Sequence, residues 1–517
     1  MSYSRRDFVS LAAGAAAFGA TRSTFDLLAL PARTIEDLLQ DAQVERIKRH
    51  IADHKEEHIA KVQADLRQPS VSSWNRGIKE MADLMVQHFK DLGCQEANIV
   101  PTSGYPGVWA YYNASKPKTI VVYLMYDTQP FDETRWSSPP LEARRVKMDP
   151  FPEVIMARGA VNSKGPNRFF LNALESIKAV TGTLPVNIMF TCEGEEEQGS
   201  PHFHKVLAPY RERLKTARAL LDPAPSQGKD GSVTMSLGGK GIAYLELEAN
   251  GGKWGRGPQK MPIHSSRKAM LDSPVWRLVD ALRTMYDPTQ NKILVPGFYD
   301  AIRAPNDEEK ELMQVLTTRF RDRLFATEME NIKTFENNWR PEEAAWHLTF
   351  DTTMNIDGIW GGYTGPGVAT ILPEKATAKI DCRLVPNQDV KAQFDLIRSH
   401  LDAKGFTDVE MRRLGGGDEW SQTSVKAPVV QAVLAMYQKN NVEPMVWPRA
   451  AGSSPQAQYT RDLGLTASGG GMGHGSRAHA DDEYIVIEGN DKVAGIVGSE
   501  QSMVDILYTY ASWPERT

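Results

Sequence analysis

Apolar residues recur at spacings of three and four near the start of the chain, and in short β-rich runs farther on. The first pattern predicts a long amphipathic helix at 34–64 and a second helix at 74–92. The runs that follow predict strands at 107–112, 119–125, 186–192 and 217–221, and helices at 167–180 and 201–214. Because strands alternate with helices, we expect an α/β domain with a mixed, largely parallel sheet between helices.

The pattern changes after the glycine-rich segment at 238–241. A strand at 242–249, a helix at 274–285, a polar helical stretch at 307–334 and strands at 346–355 and 377–384 come next. After the glycines at 415–417 the first pattern resumes, with helices at 428–437 and 489–508. The sequence therefore predicts an α+β domain at 242–412, inserted between two parts of one α/β domain at 34–241 and 413–517.

The N-terminus has the features of an export signal. Arg5 and Arg6 precede a short apolar run at 8–20 that ends in small residues. This order is typical of a twin-arginine signal, so we expect residues 1–20 to direct the chain to the periplasm or the medium. As a helix the run would be about 20 Å long, shorter than the roughly 30 Å hydrocarbon layer, so no membrane span is expected. The alternative is a chance arginine pair in an unstructured terminus.

Charge and cysteine content narrow the possible functions. The chain has 60 Lys and Arg against 65 Asp and Glu, and no basic stretch is interleaved with aromatic residues, so nucleic acid is not an expected partner. The three cysteines, Cys94, Cys192 and Cys382, are far apart in the sequence. They predict neither a disulfide framework nor a Cys-x-x-Cys metal site. Any metal would therefore be bound by histidine and carboxylate side chains.

Carboxylates follow several of the predicted strands. Asp127, Glu196, Glu197 and Asp222 each come soon after a strand, and His479 lies in a glycine-rich segment near the C-terminus. In an open α/β sheet, ligands bind beyond the carboxyl ends of the strands. An exposed acidic loop is the alternative for the run at 193–197. Its position between an apolar strand and glycines favours a site that a cation or a proton stabilises.

Eight short segments occur in the order found in a known enzyme family. They are 126–130 (Tyr-Asp-Thr-Gln-Pro), 158–166 (Arg-Gly, then Lys-Gly-Pro), 193–200, Asp222, 263–265 (Ile-His-Ser), 383–386 (Arg-Leu-Val-Pro), 452–455 (Gly-Ser-Ser-Pro) and 479–483 (His-x-x-Asp-Glu). The sequence resembles the aminoacylase, carnosine dipeptidase and carboxypeptidase G family of metal-dependent exopeptidases and amidases. The resemblance implies a catalytic domain at 34–241 and 413–517, with a lid and dimerisation domain at 242–412.

The resemblance also implies roles for single residues. In that family two zinc or manganese ions share a bridging aspartate and a water that attacks the amide. By position, Glu196 is the general base, Glu197 and His479 are ligands of one ion, and Asp222 is a ligand of the other. Asp127 is the aspartate that orients a histidine ligand in the family, and here it is a further candidate acid.

The inserted domain carries three of the other candidates, and the second part of the catalytic domain carries two. His264 resembles the histidine that enters the site of the partner subunit in a homodimer and steadies the oxyanion. Arg383 resembles the arginine that binds the substrate carboxylate, for which a planar guanidinium is well suited. Asn355, Gly452 and Ser453 are further predicted substrate-binding residues.

Two positions depart from the family pattern. Met125 stands where the family has a histidine ligand, and Asn162 stands where it has the bridging aspartate. A thioether is a poor ligand for zinc or manganese, and an amide carries no charge to hold two dications together. We therefore expect at most one divalent ion per chain, at Glu197, His479, Asp222 and Asn162, or none. Whether Asn162 coordinates a metal or only hydrogen-bonds the neighbouring carboxylates stays open.

Other readings stay open for four residues. His474 is the alternative ligand to His479, and His264 is in a position to cap the turn that follows it. Arg383 is two residues from Asp381 and can pair with it, and Cys192 is expected to be buried rather than nucleophilic.

These patterns together predict an exported amidohydrolase. Its substrate is expected to be a small peptide, an N-acyl amino acid or a related amide with a free carboxylate. The alternative is a metal-independent or non-hydrolytic relative that binds or remodels such a ligand.

Overall fold

The computed structural model describes residues 22–28, 35–326, 328–415 and 417–514, with the backbone alone at 35–40 and 328. The predicted export signal at 1–20 lies outside these residues. In the described ranges, no helix combines the length and the apolar composition that crossing a membrane requires.

The larger domain is built on a six-stranded mixed sheet. From edge to edge its strands are Glu96–Val100, Gly107–Tyr112, Asn187–Glu193, Thr119–Met125, Ala219–Pro223 and Thr466–Gly470. The last four strands are parallel to one another, and the first two are antiparallel to their neighbours. The predicted α/β class with a mixed, largely parallel sheet is confirmed.

Helices cover both faces of this sheet. Side chains alternate along the buried strands, so both faces carry apolar residues that have to be covered. Val122 packs into the core under the long helices, whereas Val121 packs into a smaller core on the opposite face. The long helices are Ile35–Asp53, Lys55–Arg67, Ile78–Leu92, Lys164–Thr181, Pro428–Lys439 and Ile496–Ser512, and the short ones are Phe203–Leu207, Arg211–Leu214 and Ala457–Thr460. Leu174 and Leu507 share the first core, so residues before and after the inserted domain form one domain.

The prediction of a single helix at 34–64 is wrong. The segment forms two helices that meet at His54, where the backbone leaves the helical region with φ −104° and ψ 16°. The two helices then pack against different parts of the domain: Ile47 and Ile51 belong to the main core, and Ile59 belongs to a separate cluster.

The lid domain contains a four-stranded antiparallel sheet. Its strands, in spatial order, are Thr353–Gly361, Lys375–Leu384, Gly241–Asn250 and Glu410–Arg413. The helices Pro274–Met285 and Val390–Ala403 pack on it and form a second core around Leu245, Leu278 and Ile397. Its smaller elements are the helix Gly251–Trp254 and the paired strands Ile263–His264 with Ile371–Leu372 and Tyr286–Asp287 with Lys292–Ile293.

A helical segment between the lid strands packs on the larger domain. The helices Asp307–Arg319 and Pro341–Phe350 form a cluster with Met445 and Trp447. The predicted strand at 346–355 is therefore wrong at 346–350, which are helical, and correct at 353–355, where the strand Thr353–Gly361 begins. The predicted helix at 307–334 ends at Arg319. Pro341 in the first helical turn favours a helix, and Trp346 and Phe350, four residues apart, face the same cluster.

A second antiparallel sheet positions the C-terminal histidine loop. Its strands are Gly475–Ser476, Tyr484–Glu488, Phe151–Met156 and Arg144–Met148. The loop that holds His479 joins the first two strands, and the segment 157–163 follows the third. The pairing of these strands brings the two loops together. The remaining strand pairs are Thr234–Ser236 with Met445–Trp447 and Gly238–Gly239 with Ser421–Gln422.

Candidate active site

The candidate site lies where three parallel strands end. Asp127, Glu196 and Asp222 follow or end the strands Thr119–Met125, Asn187–Glu193 and Ala219–Pro223. A cavity of about 310 Å³ opens at this edge. Residues that line it include Tyr123, Met125, Asn162, Glu196, Asp222 and Tyr459. The parallel sheet thus brings side chains that are far apart in the sequence to one edge.

Asp127 holds the loop that carries the two glutamates. Its buried carboxylate accepts the backbone N–H of Glu196 at 3.1 Å and that of Glu197 at 3.2 Å. Burial raises the pKa of Asp127 to about 6, and the N–H donors oppose that rise. Asp127 is therefore a positioning residue, because it fixes the direction in which both glutamate side chains leave the backbone.

Hydrogen bonds hold Glu197 on both sides of its carboxylate. Asn162 Nδ2 donates to Oε1 at 2.7 Å, and Gln129 Nε2 donates to Oε2 at 2.7 Å. His479 Nε2 lies 3.2 Å from the same Oε2 and 3.0 Å from Asn162 Nδ2. The Glu197 side chain is 3% exposed, whereas His479 is 58% exposed. Asn162, Glu197 and His479, which the sequence predicted as ligands, therefore do converge.

Glu196 and Asp222 differ from Glu197. Both line the cavity, and neither side chain has a hydrogen-bond partner within the described part of the chain. Burial raises the pKa of Glu196 to about 7, and the neighbouring Asp127 and Asp222 add to the rise. Burial raises the pKa of Asp222 to about 6. These two carboxylates are available to a substrate or to a water molecule.

Arg158 and Glu483 form a buried support beneath the site. Both residues lie in matched segments, but the sequence analysis did not predict this role. They form a buried ion pair at 2.8 Å. Glu483 also accepts the backbone N–H groups of Gly159, Val161 and Asn162 at 2.9–3.0 Å. Gln129 was missed in the same way. In both cases, the only indication in the sequence was that the residue lies in a matched segment. Hydrogen-bond partners cannot be inferred from residue spacing.

The predicted substrate-binding residues lie at the junction of lid and larger domain. Arg383 Nε donates to Asp381 Oδ2 at 2.7 Å, and Arg383 Nη1 lies 3.5 Å from Ser453 Oγ. Asn355 Nδ2 donates to Asp381 Oδ1 at 3.0 Å. Arg383 thus pairs with Asp381 and also faces the larger domain. Gly452 is exposed and precedes Ser453.

His264 is not brought to Glu196 within one subunit. Its Nδ1 accepts from the backbone N–H of Ser266 at 3.2 Å, and its Nε2 lies 3.0 Å from Thr370 Oγ1. It therefore caps the turn that follows it, which was the alternative interpretation of this residue. His474, the alternative ligand, is buried with Nδ1 against Gln227 O at 2.7 Å and Nε2 against the Tyr484 hydroxyl at 3.0 Å. Both of its ring nitrogens are thus occupied away from Glu197.

Comparison with known proteins identifies the family. A sequence model of the peptidase dimerisation domain matches residues 259–409. The structure resembles that of an M20 family metallo-carboxypeptidase from Sulfolobus solfataricus, with a TM-score of 0.77 and 30% identity, over 88% of this chain and 99% of that one. The chain belongs to the M20 metallopeptidase family. Its predicted class, a hydrolase of peptide bonds, is confirmed.

Other M20 relatives agree with this assignment. A Cys-Gly metallodipeptidase of Candida albicans is 24% identical over 462 residues, 84% of this chain and 92% of the relative. The human beta-Ala-His dipeptidase is 25% identical over 71% of this chain and 70% of its own length. The structure of human carnosine dipeptidase 1 has a TM-score of 0.69 at 20% identity, which shows a shared fold.

The M20 family name implies a metal centre, and the side chains present do not fit one with two ions. Met125 offers a buried thioether to the cavity, and Asn162 offers a neutral amide whose nitrogen faces Glu197 and His479. Across the described ranges, no group of three or more His, Cys, Asp and Glu side chains is arranged to hold a metal ion.

Proposed function

We propose that this M20 enzyme hydrolyses a dipeptide or another small amide, such as an N-acyl amino acid, that carries a free carboxylate. The observation that carries the proposal is the presence of Glu196 and Asp222 in one cavity, without hydrogen-bond partners among the described residues. A cavity of about 310 Å³ suits a small ligand. The relatives named as dipeptidases support a substrate of this size.

Glu196 is the general base in this proposal. It takes a proton from the water that attacks the carbonyl carbon, and it returns the proton to the nitrogen when the C–N bond breaks. A raised pKa of about 7 suits both steps near neutral pH. Asp127 keeps the base in place through the backbone of Glu196 and Glu197.

Arg383 binds the substrate carboxylate in this proposal. The hydrogen bond from Nε to Asp381 fixes the plane of the guanidinium, so that its remaining N–H groups point in defined directions. Such a fork suits a bidentate pair with a carboxylate. The position of Ser453 near Nη1 places this group beside the larger domain.

The proposal is tested with the purified chain and a substrate panel analysed by mass spectrometry. The panel contains dipeptides, N-acetyl amino acids and the same dipeptides with an amidated C-terminus. We expect the free acids to be cleaved and Arg383→Lys to raise their KM about 30-fold with little change in kcat. The matched control Arg412→Lys, on the exposed lid edge, should leave KM unchanged. Absence of cleavage across the panel contradicts the proposal.

We also infer a homodimer formed through the lid. The edge strand Thr353–Gly361 exposes Ile356, Ile359 and Trp360, and apolar edge strands favour association. In such a dimer, His264 acts in the partner's site. Mixing Glu196→Gln and His264→Ala subunits should restore activity that neither variant has alone, because one intact site forms per hybrid. Hybrids without activity, or a monomer mass by light scattering, contradict this inference.

Export through a twin-arginine signal remains part of the proposal. Arg5→Lys with Arg6→Lys should keep the chain in the cytoplasm of a bacterial host, as measured by cell fractionation. Unchanged export of this variant refutes the signal.

A further inference from the structure

We propose that the Asn162 amide takes the place of the metal ions in this M20 site, and that the chain keeps the site in order without a bound divalent ion. The amide connects Glu197 to His479 by hydrogen bonds, at the position where a bridging carboxylate would need cations on either side. The inference rests on the proposed function only for the location of the site.

The orientation of the amide follows from its neighbours. Ser163 Oγ lies 3.1 Å from Asn162 Oδ1 and donates to it, while Nδ2 faces Glu197 Oε1 at 2.7 Å. Turning the amide over would replace the N–H donor with a second oxygen 2.7 Å from Glu197 Oε1 and remove this hydrogen bond. One N–H of Nδ2 is therefore used by Glu197, and the other is directed to His479 Nε2 at 3.0 Å.

The atoms that would coordinate a metal already take part in hydrogen bonds. Glu197 Oε1 accepts from Asn162, and Oε2 accepts from Gln129. His479 Nε2 lies 3.0 Å from Asn162 Nδ2 and 3.2 Å from Glu197 Oε2. An ion at this point would have to displace the amide from two partners, and it would gain only a neutral oxygen in place of the carboxylate that Asn162 lacks.

Asn162 is held in this position by a buried support. Glu483 Oε1 accepts the backbone N–H groups of Val161 and Asn162, both at 2.9 Å, and Arg158 neutralises Glu483. Glu483 and Arg158 are 0% and 2% exposed. The hydrogen bonds of the side-chain amide therefore belong to an ordered arrangement.

The second ion position is weaker still. On that side Asp222 is the predicted ligand, and Met125, which stands where the family has a histidine, supplies only a thioether. A single carboxylate with a soft, neutral sulfur is a poor set for zinc or manganese. Neither position thus has the donors of a divalent site, and the two departures from the family pattern have the same consequence.

Metal content of the full chain tests the proposal. The protein is stripped with EDTA, equilibrated with Zn²⁺ or Mn²⁺ alone, passed through a desalting column and analysed by elemental mass spectrometry, with binding measured by calorimetry. We expect close to zero ions per chain in the wild type and about two in Met125→His/Asn162→Asp, which restores an imidazole and a carboxylate. Met125→His/Asn98→Asp is the matched control, because Asn98 is exposed and the composition is identical; it should bind as the wild type does.

Two outcomes overturn the proposal. One is an ion retained by the wild type and lost in His479→Ala. The other is a double variant that folds by circular dichroism and still takes up no metal. If the double variant does not fold, the wild-type measurement and Asn162→Asp alone decide. Dipeptide cleavage is measured separately, so that a metal-free protein without activity refutes the proposed function and leaves this inference standing.

Discussion

The two sides of the candidate active site differ in the hydrogen bonding of their carboxylates. On one side, both oxygens of Glu197 accept N–H donors from Asn162 and Gln129. On the other, Glu196 and Asp222 line the cavity without hydrogen-bond partners among the described residues. We call these the clamped side and the open side. The clamped side is fixed by hydrogen bonds, and the open side carries the chemistry in the proposed function.

Burial has a cost on both sides. It raises the pKa of Glu197 to about 8, although the hydrogen bond from Gln129 opposes the rise. An ionised carboxylate without partners is less stable in a poorly solvated cavity, which is the reason that burial raises the pKa of Glu196 to about 7 and that of Asp222 to about 6. Groups that reduce stability in this way are common at active sites. The comparison therefore predicts opposite effects when amides and carboxylates are exchanged on the two sides.

The largest effect is expected from Glu196→Gln on the open side. The amide keeps the shape but cannot take the proton of water, so kcat should fall by about 10³-fold with little change in Tm. Glu195→Gln is the matched control, since Glu195 pairs with His202 and does not line the cavity. Equal loss in both variants would mean that the whole acidic loop, rather than its open side, carries activity.

Asn162→Asp should destabilise the clamped side when EDTA is present. It places two carboxylates about as close as the present 2.7 Å hydrogen bond, so the free energy of unfolding should fall by about 3 kcal/mol in urea titrations. Asn98→Asp should change it by less than about 0.5 kcal/mol. A stable, metal-free Asn162→Asp protein would show that the clamp is unimportant.

Gln129→Met tests the other donor of the clamped side. Methionine has a similar length but no N–H, so Glu197 Oε2 keeps only His479 as a neighbour. The free energy of unfolding should fall by about 1–2 kcal/mol. An unchanged urea midpoint would place the support of Glu197 elsewhere.

Asp222→Asn should do the opposite on the open side. At pH 7 Asp222 is ionised in the folded and unfolded states, and its raised folded pKa means that folding is opposed by the burial of its charge. Removing the charge should raise the free energy of unfolding by about 1 kcal/mol, while cleavage is lost or slowed. A loss of stability would show that the carboxylate has a structural role.

The smallest effect is expected from removal of metal. If the clamped side needs no ion, EDTA treatment should leave both activity and Tm of the wild type unchanged. The Met125→His/Asn162→Asp variant should instead lose stability on the same treatment. Inactivation of the wild type by EDTA, with recovery on addition of zinc, would show that the clamped side does need an ion.

Much of the fold could be predicted from local patterns. The strands Gly107–Tyr112 and Thr119–Met125 and the helix Pro274–Met285 have the predicted bounds, because their apolar periodicity agrees with their packing. The prediction of a strand was wrong at 346–350, because the alternation of apolar residues at Trp346, Leu348 and Phe350 resembles that of a strand. The helix is stabilised instead by a cluster with Met445 and Trp447, about 100 residues away in the sequence.

The residue types alone supply the chemical groups of the candidate site: the carboxylate of Glu196, the guanidinium of Arg383, the thioether of Met125 and the amide of Asn162. The contacts of Asn162, by contrast, depend on the three-dimensional structure. Its amide contacts Glu197, 35 residues away, and His479, 317 residues away. Side-chain hydrogen bonds over such separations depend on how strand pairing brings loops together, and on which atom of the amide faces each partner. Neither is encoded in residue spacing.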